Sequence, residues 1–269
     1  MIDLHAHIIP GVDDGSPSME ESLKMLEIAS EDGVKAIAAT SHIFGQSGKI
    51  KNIDQLRFKF DELKKKTLEQ NIKIEILPGA EVFFVSDLND RLKNFRDAIT
   101  INNSSYFLLE FPWNVVFPGS KEYIFDLVND GFIPIICHPE RNLVFQQDPR
   151  LLYLLLQAGA LSQVDAGSIR GDFGPTVYYT ALDLLKFNLV HIIASDCHDT
   201  KDRPPGLSFV YKKLQGIRGI EKEKIDLLVE RIPLAVVNNN IPPDIGPLLD
   251  PTRKSSFSGL LRKIFKYEQ

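Results

Sequence analysis

The chain begins MIDLHAH, from Met1 to His7, a short apolar start that runs directly into two histidines. In a β-strand, residues two positions apart face the same side, so His5 and His7 can both point at one ion while Leu4 and Ala6 pack on the other face. The same pattern, a short apolar run followed by a metal-type side chain, recurs further along the chain. The opening heptapeptide therefore predicts the first strand of a repeating βα arrangement.

Short apolar runs rich in β-branched residues alternate with longer stretches of helical period, a pattern typical of βα units and not of a β-sandwich. Strands are predicted at residues 1–4, 36–40, 72–77, 106–110, 133–137, 161–165 and 190–195. Apolar stripes with the spacing of a helix are predicted between them, at residues 19–29, 123–128 and 151–158. These seven strands are close to the eight of a full barrel, so we expect one α/β barrel-like domain.

Composition limits the classes of function. The 269 residues are 43% hydrophobic and 25% charged, which is enough to bury one substantial core in a single domain. The formal net charge of −5 argues against binding to nucleic acid, whose phosphate backbone attracts strongly basic surfaces. No apolar run approaches the roughly 20 residues of a transmembrane segment, and the N-terminus lacks the layout of a signal peptide. We therefore expect a cytoplasmic protein.

Two segments near the carboxyl terminus interrupt the alternation. Four prolines between residues 241 and 251 predict an extended, irregular segment that closes the domain. Residues 253–269 combine basic and apolar side chains at helical spacing. We therefore predict a folded domain over residues 1–252 and a C-terminal basic amphipathic tail over 253–269. The tail is interpreted either as a terminal helix, packed or frayed, or as a contact for an anionic membrane or partner.

Metal-type side chains follow the predicted strands at their C-terminal ends, where barrel enzymes assemble their active sites. Besides His5 and His7, they are His42, Glu81, Glu110, His138, Asp196 and His198. Five of the six histidines fall at such ends, and a core has little use for so many polar groups unless they are paired or coordinated. A cluster of metal ions is therefore predicted. The sixth histidine, His191, lies inside an apolar run and is interpreted as a barrel-wall residue.

The two cysteines, Cys137 and Cys197, each lie beside a histidine at the end of an apolar run, so reduced thiols are expected rather than a disulfide. Cys197 and Arg203 have the spacing of the nucleophilic loop in cysteine-dependent tyrosine phosphatases. The residues between them include two acids and no glycine, which does not suit a loop that must cradle a phosphate dianion with backbone amides. Metal-based chemistry is favoured over a cysteine nucleophile.

Seven short motifs carry a resemblance to a known family. They are Asp-Leu-His-Ala-His at 3–7, Val-Asp-Asp-Gly at 12–15, Thr-Ser-His at 40–42, Gly-Ala-Glu at 79–81, Leu-Glu-Phe-Pro at 109–112, Cys-His-Pro-Glu-Arg at 137–141 and Ser-Asp-Cys-His at 195–198. With these motifs the sequence resembles the PHP (polymerase and histidinol phosphatase) superfamily. Within it, the sequence is similar to the bacterial manganese-dependent protein-tyrosine phosphatases encoded with capsule and exopolysaccharide genes. The resemblance runs from residue 1 to about residue 243.

The resemblance implies a distorted (β/α)7 TIM-like barrel of PHP type and a three-metal cluster, usually manganese. One ion is expected on His5, His7, Glu81 and Asp196, a second on Glu81, Glu110 and His138, and a third on Asp14, His42 and His198. Mixed imidazole and carboxylate ligands suit Mn²⁺, and Fe²⁺ or Zn²⁺ would also fit. Arg141 and Arg203 are expected to bind the phosphate oxygens, because guanidinium groups match that geometry. Arg141 matches the family pattern, and the alternative for Arg203 is a plain surface arginine.

Three functions remain open at this point. The motif match implies a phosphatase in which metal-bound hydroxide attacks phosphotyrosine on a protein, expected to be the C-terminal tail of a tyrosine kinase that regulates polysaccharide synthesis. The first alternative is a phosphatase of small phosphomonoesters such as histidinol phosphate. The second alternative is a metal-binding regulatory module without turnover.

Two further groups of residues have open interpretations. Four aromatic residues follow the predicted strand ends at Glu81 and Glu110, and they form either an apolar rim for an aromatic leaving group or the packing of loops over the barrel. They are Phe83, Phe84, Trp113 and Phe117. The pair Glu20 and Glu21 lies on a predicted helix, and it either helps to dock a homo-oligomer or faces solvent.

Overall fold

The strands of the molecule are short and parallel. The structure, a computed structural model, describes residues 1–43, 52–85, 87–217 and 220–252. The strands in these ranges are Ile2–Ala6 (β1), Ala36–Ala39 (β2), His42–Ile43 (β3), Glu75–Pro78 (β4), Glu81–Phe83 (β5), Tyr106–Glu110 (β6), Ile133–Cys137 (β7), Leu161–Asp165 (β8) and Ile192–Ala194 (β9).

Helices follow the strands along the chain. The α-helices of the described ranges are Met19–Glu31 (α1), Ile53–Glu69 (α2), Leu88–Asn94 (α3), Arg96–Ile99 (α4), Ser120–Asn129 (α5), Leu143–Gln147 (α6), Pro149–Gln157 (α7), Ala166–Arg170 (α8), Pro175–Lys186 (α9), Ser208–Gln215 (α10), Lys222–Asp226 (α11) and Ile232–Val237 (α12). Short 3₁₀ turns occur at Ile101–Asn103 and Pro139–Arg141, and a π-helical turn at Leu227–Arg231. Side chains of Ser18, Asn52 and Asp148 cap the first turns of α1, α2 and α7, as expected for polar residues with free acceptors.

The strands form two parallel sheets, β1-β2-β4 and β3-β5-β6-β7-β8-β9. The two sheets continue each other, because β2 and β3 are separated only by Thr40 and Ser41, and β4 and β5 only by Gly79 and Ala80. In the same way, β2 pairs with β4 and β3 pairs with β5. Seven strand positions therefore follow one another, in agreement with the distorted (β/α)7 barrel predicted from the sequence.

The seam between the first and last strands is made by their C-terminal extensions. A single parallel bridge joins Ala6 and Cys197. The His7 amide donates to the Cys197 carbonyl at 2.9 Å, and the Asp196 amide donates to the His5 carbonyl at 2.9 Å. The two chain segments that carry predicted metal ligands are thereby joined directly to each other.

The core has two layers. On β6, Tyr106 and Leu108 contact an inner cluster, while Phe107 and Leu109 contact an outer cluster that includes buried faces of α1, α2, α5, α7 and α9. This alternation is the period of two expected for a strand between two apolar layers. One expectation for β1 is wrong: Leu4 lies in the inner cluster and Ala6 in the outer one, because the pairing of β1 with β2 shifts register between Asp3 and Ala6.

The helices predicted from apolar stripes all occur, within α1, α5 and α7. Residues 241–250 have no regular secondary structure, as the four prolines predict. The predicted tail, 253–269, lies outside the described residues, so the boundary at 252 stays a prediction. Within the described ranges, none of the helices is both long and apolar enough to cross a membrane.

Candidate metal centre

The nine predicted metal ligands come together at the C-terminal ends of the strands, around the buried carboxylate of Glu81 at the start of β5. Oε2 of Glu81 lies 3.2 Å from Nε2 of His5 and 3.1 Å from Nδ1 of His42. Oε1 lies 3.0 Å from Nε2 of His138. Both oxygens of one carboxylate thus face imidazole nitrogens that come from three other strands, which is the arrangement expected of a bridging ligand.

The tightest group consists of His5, His7, Glu81 and Asp196. Nε2 of His5 and Nε2 of His7 are 3.2 Å apart, and each lies 3.2 to 3.4 Å from the nearest oxygens of Glu81 and Asp196. Ligands about 2.0–2.1 Å from a tetrahedrally coordinated ion lie roughly 3.3–3.4 Å from one another. The two imidazole nitrogens therefore lie at the separation that a small divalent ion requires, both from each other and from an oxygen of each carboxylate.

The other predicted ligands surround this group. Oδ1 of Asp14 lies 3.7 Å from Nε2 of both His42 and His198. The second ring nitrogen of His42, Nδ1, lies 3.7 Å from Oε2 of Glu110. His42 thus contacts both the predicted third site, with Asp14 and His198, and the carboxylates of the predicted second site. The geometry brings the ligands together, and their assignment to three separate ions stays a prediction.

The charge of the site calls for a cation. Four acidic ligands, Asp14, Glu81, Glu110 and Asp196, converge on the cluster, and Glu81 and Asp196 are fully buried. Burial lowers the pKa of His5, but the charges of Glu81 and Asp196 outweigh this and raise its pKa to about 10. Burial and the charge of Glu81 raise the pKa of Glu110 to about 7. Protons on these groups offset the negative charge that a divalent ion would neutralise more fully. The donor set fits a metal cluster.

Two residues without a role in the sequence analysis orient the first pair of histidines. Nδ1 of His7 lies 2.8 Å from Oδ2 of the buried Asp13, and Nδ1 of His5 lies 2.8 Å from Oε1 of Gln163. When Nδ1 carries the proton for such a bond, Nε2 is left unprotonated and faces the ion. Asp13 belongs to the Val-Asp-Asp-Gly motif, which was a usable signal. For Gln163, the only signal in the sequence was a polar residue within the predicted strand at 161–165, which is the buried strand β8.

Gly15 allows the loop after β1 to approach His7. A Cβ atom at this position would lie 2.3 Å from both the Cβ and the carbonyl oxygen of His7, distances that real side chains do not reach. The Ser16 amide then donates to that carbonyl at 3.0 Å. The glycine of the Val-Asp-Asp-Gly motif is therefore required for close contact, which is one of the usual reasons for glycine near a site.

Two ligands adopt a backbone conformation that is rare for residues other than glycine. His138, directly after β7, has φ 32°, and Asp196, two residues after the end of β9, has φ 50°. A left-handed non-glycine residue typically costs about 1–3 kcal/mol and is concentrated at functional sites. At both positions the chain leaves the strand direction and turns the side chain into the cluster, so the fold gives up some stability to place these two groups.

Arg141 and Arg203 border the cluster, as predicted. Nη1 of Arg141 donates to Asp196 at 2.8 Å and to Asp165 at 3.0 Å, and Nη2 of Arg203 donates to the same Asp196 oxygen. The ring of Phe173 lies 4.6 Å from the guanidinium carbon of Arg141 and 5.8 Å from that of Arg203. Both arginine side chains remain partly exposed, at 31% and 24%. They are charged groups that solutes can reach beside the metal centre.

The aromatic residues near the site divide into two groups. Phe84 stacks on Phe111 at 4.9 Å and on Phe117 at 5.2 Å, so these rings pack the loops over the barrel. Trp113 is 66% exposed, and its carbonyl accepts from the Leu143 amide at 2.8 Å, which ties its loop to the segment after Arg141. Of the four residues of the predicted apolar rim, Trp113 is the most exposed.

The remaining histidine and the cysteines lie where the sequence predicts. Nδ1 of His191 accepts from the Ser162 amide at 3.3 Å, a structural contact on the barrel wall. Cys137 and Cys197 are buried free thiols. Burial raises the pKa of Cys197 to about 12, so its thiol stays protonated, which agrees with the rejection of a cysteine nucleophile.

Comparison with known proteins agrees with this geometry. The family model described as "Capsular polysaccharide synthesis, CpsB/CapC" matches residues 1–232, most of the chain. The chain belongs to the CpsB/CapC family. A curated relative, the tyrosine-protein phosphatase YwqE of Bacillus subtilis, is 37% identical over 204 residues, which cover 76% of this chain and 79% of YwqE. CapC of Staphylococcus aureus is 34% identical over 263 residues, 97% of this chain and 100% of CapC.

A solved structure of the CpsB/CapC group has the same fold. It comes from work on YwqE of Bacillus subtilis and CpsB of Streptococcus pneumoniae, described as metal-dependent tyrosine phosphatases. It superposes with a TM-score of 0.86 at 31% identity, covering 94% of this chain and 100% of the other. The family predicted from the motifs is thereby confirmed.

Proposed function

We propose that this CpsB/CapC protein is a metal-dependent phosphatase that hydrolyses phosphotyrosine in a protein substrate. The proposal rests on one observation, the convergence of His5 and His7 on Glu81 and Asp196. Their Nε2 atoms lie 3.2 Å apart, and each lies 3.2 to 3.4 Å from an oxygen of either carboxylate. Clustered divalent ions beside arginines are suited to phosphoryl transfer. The names of the relatives support phosphotyrosine as the substrate.

The proposed cofactor is a cluster of three Mn²⁺ ions. His5, His7, Glu81 and Asp196 would hold the first, Glu81, Glu110 and His138 the second, and Asp14, His42 and His198 the third. Imidazole and carboxylate donors suit Mn²⁺, Fe²⁺ or Zn²⁺ in a catalytic site. The lack of thiolate ligands argues against a structural zinc site. When bound, divalent ions supply the positive charge that lowers the pKa of an attacking water and neutralises phosphoryl oxygens.

The arginines are proposed to bind the phosphoryl group. Arg141 and Arg203 share Asp196 as an acceptor, and Asp165 holds Arg141 from the other side. The side chains of Arg141 and Arg203 are 31% and 24% exposed, so a phosphoryl group can reach them. Guanidinium groups also remain charged at all relevant pH values, so they bind the dianion throughout the reaction.

The biological setting is proposed from the family. The family model is named for capsular polysaccharide synthesis, which supports a substrate in that process, and we propose the tyrosine-containing C-terminal tail of a regulatory kinase. We also propose that the protein acts in the cytoplasm, where such a tail would be found, and that it forms a homo-oligomer. Binding of the purified protein to a peptide of that tail tests the proposed substrate, its mass in solution tests the oligomer, and fractionation of cells tests the location.

Turnover of a phosphotyrosine peptide and of histidinol phosphate by the purified protein, each with added Mn²⁺, tests the proposal. We expect the peptide to be hydrolysed with the higher kcat/KM, chelation to abolish turnover, and Mn²⁺ to restore it. Preference for histidinol phosphate would support a small-molecule phosphatase instead. Absence of turnover with either substrate by metal-loaded protein would support a non-catalytic module.

Matched variants test whether the thiol or the arginines beside the metal centre take part in turnover. Cys197→Ser should keep most activity, since a buried protonated thiol takes no part in the reaction. Arg141→Ala should lower kcat/KM by about 10²-fold or more, as removal of a group that stabilises transition-state charge usually does. Arg150, an exposed arginine on α7, provides the control, and Arg150→Ala should leave kcat/KM unchanged.

A further inference from the structure

The loop that carries Arg203 is attached to helix α1. The Thr200 amide donates to Oε1 of Glu21 at 2.9 Å, and the Thr200 hydroxyl donates to the same oxygen at 2.8 Å. At the far end of α1, the carboxylate of Asp32 accepts from the amides of Leu207 and Ser208. Two acids at opposite ends of one helix therefore hold the two ends of the segment from Thr200 to Ser208.

The position of Glu21 in α1 makes its contact informative. Ser18 caps the helix and accepts from the Glu21 amide at 3.2 Å, so Glu21 is the third helical residue. A glutamate at this position usually receives the amide of the capping residue in a capping box. Here its carboxylate instead receives both donors of Thr200, in a loop that is 179 residues away in the sequence. The side chain is used for a long-range contact.

Helix α1 is a rigid base for this contact. Leu23, Met25, Leu26 and Ala29 are buried, which fixes the helix on the barrel. The loop itself is tightly folded, because Oδ1 of Asp199 accepts from the amides of Lys201, Asp202 and Arg203. The Arg203 carbonyl also accepts from the His198 amide at 2.9 Å. The attachment at Thr200 therefore helps to determine where the guanidinium group of Arg203 lies, because it fixes the other side of the same folded loop.

We propose that Glu21 is a positioning residue, which holds the 199–203 loop so that Arg203 stays at the metal centre. The proposal rests on the proposed function, in which Arg203 binds the phosphoryl group. It also replaces the two interpretations that the sequence allows for this acid, a docking point for an oligomer or a solvated helix face. Its neighbour Glu20 is different, since it is 78% exposed and, within the described ranges, its ion pair is with Lys24 on the same helix, at 2.8 Å.

The neighbouring acids give a matched kinetic test. Glu21→Ala should lower kcat/KM for a phosphotyrosine peptide about tenfold. A misplacement of about 1 Å can cost about 10²-fold, and a smaller displacement is expected here because Asp196 still holds Arg203. Glu21→Gln keeps an acceptor oxygen for Thr200, so this variant should retain most of the wild-type kcat/KM. Glu20→Ala removes an acid from the same helical turn and should leave kcat/KM unchanged. A loss with Glu20→Ala as large as that with Glu21→Ala would overturn the proposal.

A double mutant identifies the residue through which Glu21 acts. In an Arg203→Ala background, Glu21→Ala should have no further effect on kcat/KM, because the group it positions is gone. An additional tenfold loss there would mean that Glu21 acts elsewhere, and the proposed role would be wrong. Thermal unfolding of the single variants shows whether any loss comes from the fold instead, and similar melting temperatures for Glu21→Ala and Glu20→Ala are expected.

Hydrogen exchange tests the attachment without any turnover. The amides of residues 199–203 should exchange faster in Glu21→Ala than in the wild-type protein, and at the wild-type rate in Glu20→Ala. Unchanged exchange in Glu21→Ala would overturn the attachment, whatever the substrate of the enzyme. Faster exchange in a protein that hydrolyses no phosphotyrosine would instead uphold the attachment and refute the proposed function.

Discussion

Replacing Asp13 by asparagine should weaken metal binding, although Asp13 is not itself a predicted ligand. Its Oδ2 contacts Nδ1 of His7 at 2.8 Å and accepts from the His42 amide at 2.9 Å, while Oδ1 accepts from the Gly15 amide at 3.0 Å. Both carboxylate oxygens therefore serve as acceptors in a fully buried position. An amide offers one acceptor oxygen and one donor nitrogen.

Either orientation of the new amide is unfavourable. If its nitrogen takes the place of Oδ2, His7 must accept at Nδ1, and the ring proton moves to Nε2, the atom that faces the ion. If its nitrogen takes the place of Oδ1, the side-chain NH₂ group and the Gly15 amide face each other as two donors without an acceptor. Loss of a group that orients a ligand typically costs about 10–100-fold in metal affinity, or about 1.4–2.7 kcal/mol. We expect an increase of this size in the dissociation constant for Mn²⁺.

Asp3→Asn is the matched control. Asp3 is also fully buried next to the centre, but its Oδ1 alone accepts from the amides of His5 and Ser195, and Oδ2 has no partner in the described part of the chain. An amide can therefore keep both hydrogen bonds. Calorimetric titration of Mn²⁺ into the three apoproteins measures the difference. Wild-type affinity in Asp13→Asn, or equal losses in both variants, would refute the orienting role of Asp13.

Three other predictions concern stability and specificity. Gly15→Ala should lower the free energy of unfolding, measured by urea denaturation, by about 1–3 kcal/mol, because its Cβ would overlap His7. Gly216→Ala should have little effect, because the nearest of the described atoms would lie 3.7 Å from the new Cβ. Burial and the charge of Lys224 lower the pKa of His191 to about 4, so its contribution to stability is present above pH 6.5 and is lost as the pH falls. From pH 6.5 to 4 the wild-type protein should lose up to about 3 kcal/mol more than His191→Gln, and equal slopes would contradict this assignment. Trp113→Ala should raise KM for a phosphotyrosine peptide more than for an aliphatic phosphate, and equal increases would exclude Trp113 as a specificity residue.

The repeating fold could be predicted because it depends on local pattern, but the details of the site depend on contacts between distant segments. Apolar runs followed by histidine or carboxylate predicted the strands and eight of the nine residues that meet at the candidate metal centre, and the family resemblance added Asp14. Asp13 and Asp14 are adjacent acids in one motif, and only the folded loop distinguishes a buried side chain that orients His7 from an exposed one facing His42. Glu20 and Glu21 differ in the same way, since the partner of Glu21 lies in a remote loop.

The register of the first strand had the same limitation. A regular strand would place Leu4 and Ala6 on one face. The sequence has no proline or glycine there that would indicate a β-bulge or a shift in register. The shift between Asp3 and Ala6 accompanies the bonds that the C-terminal extension of β9 makes with His5 and His7. Tertiary pairing therefore overrides the local period at the position where the strand must present two ligands.

Asp196 has a consequence for the enzyme cycle. One of its oxygens faces His5 and His7, and the other accepts from both arginines. Both guanidinium groups thus have a carboxylate partner within the protein itself. If Arg141 and Arg203 bind the phosphoryl group as proposed, a departing product would be exchanged for that carboxylate. Asp196 would then compensate the charge of both arginines between turnovers, which would favour rapid release of the product.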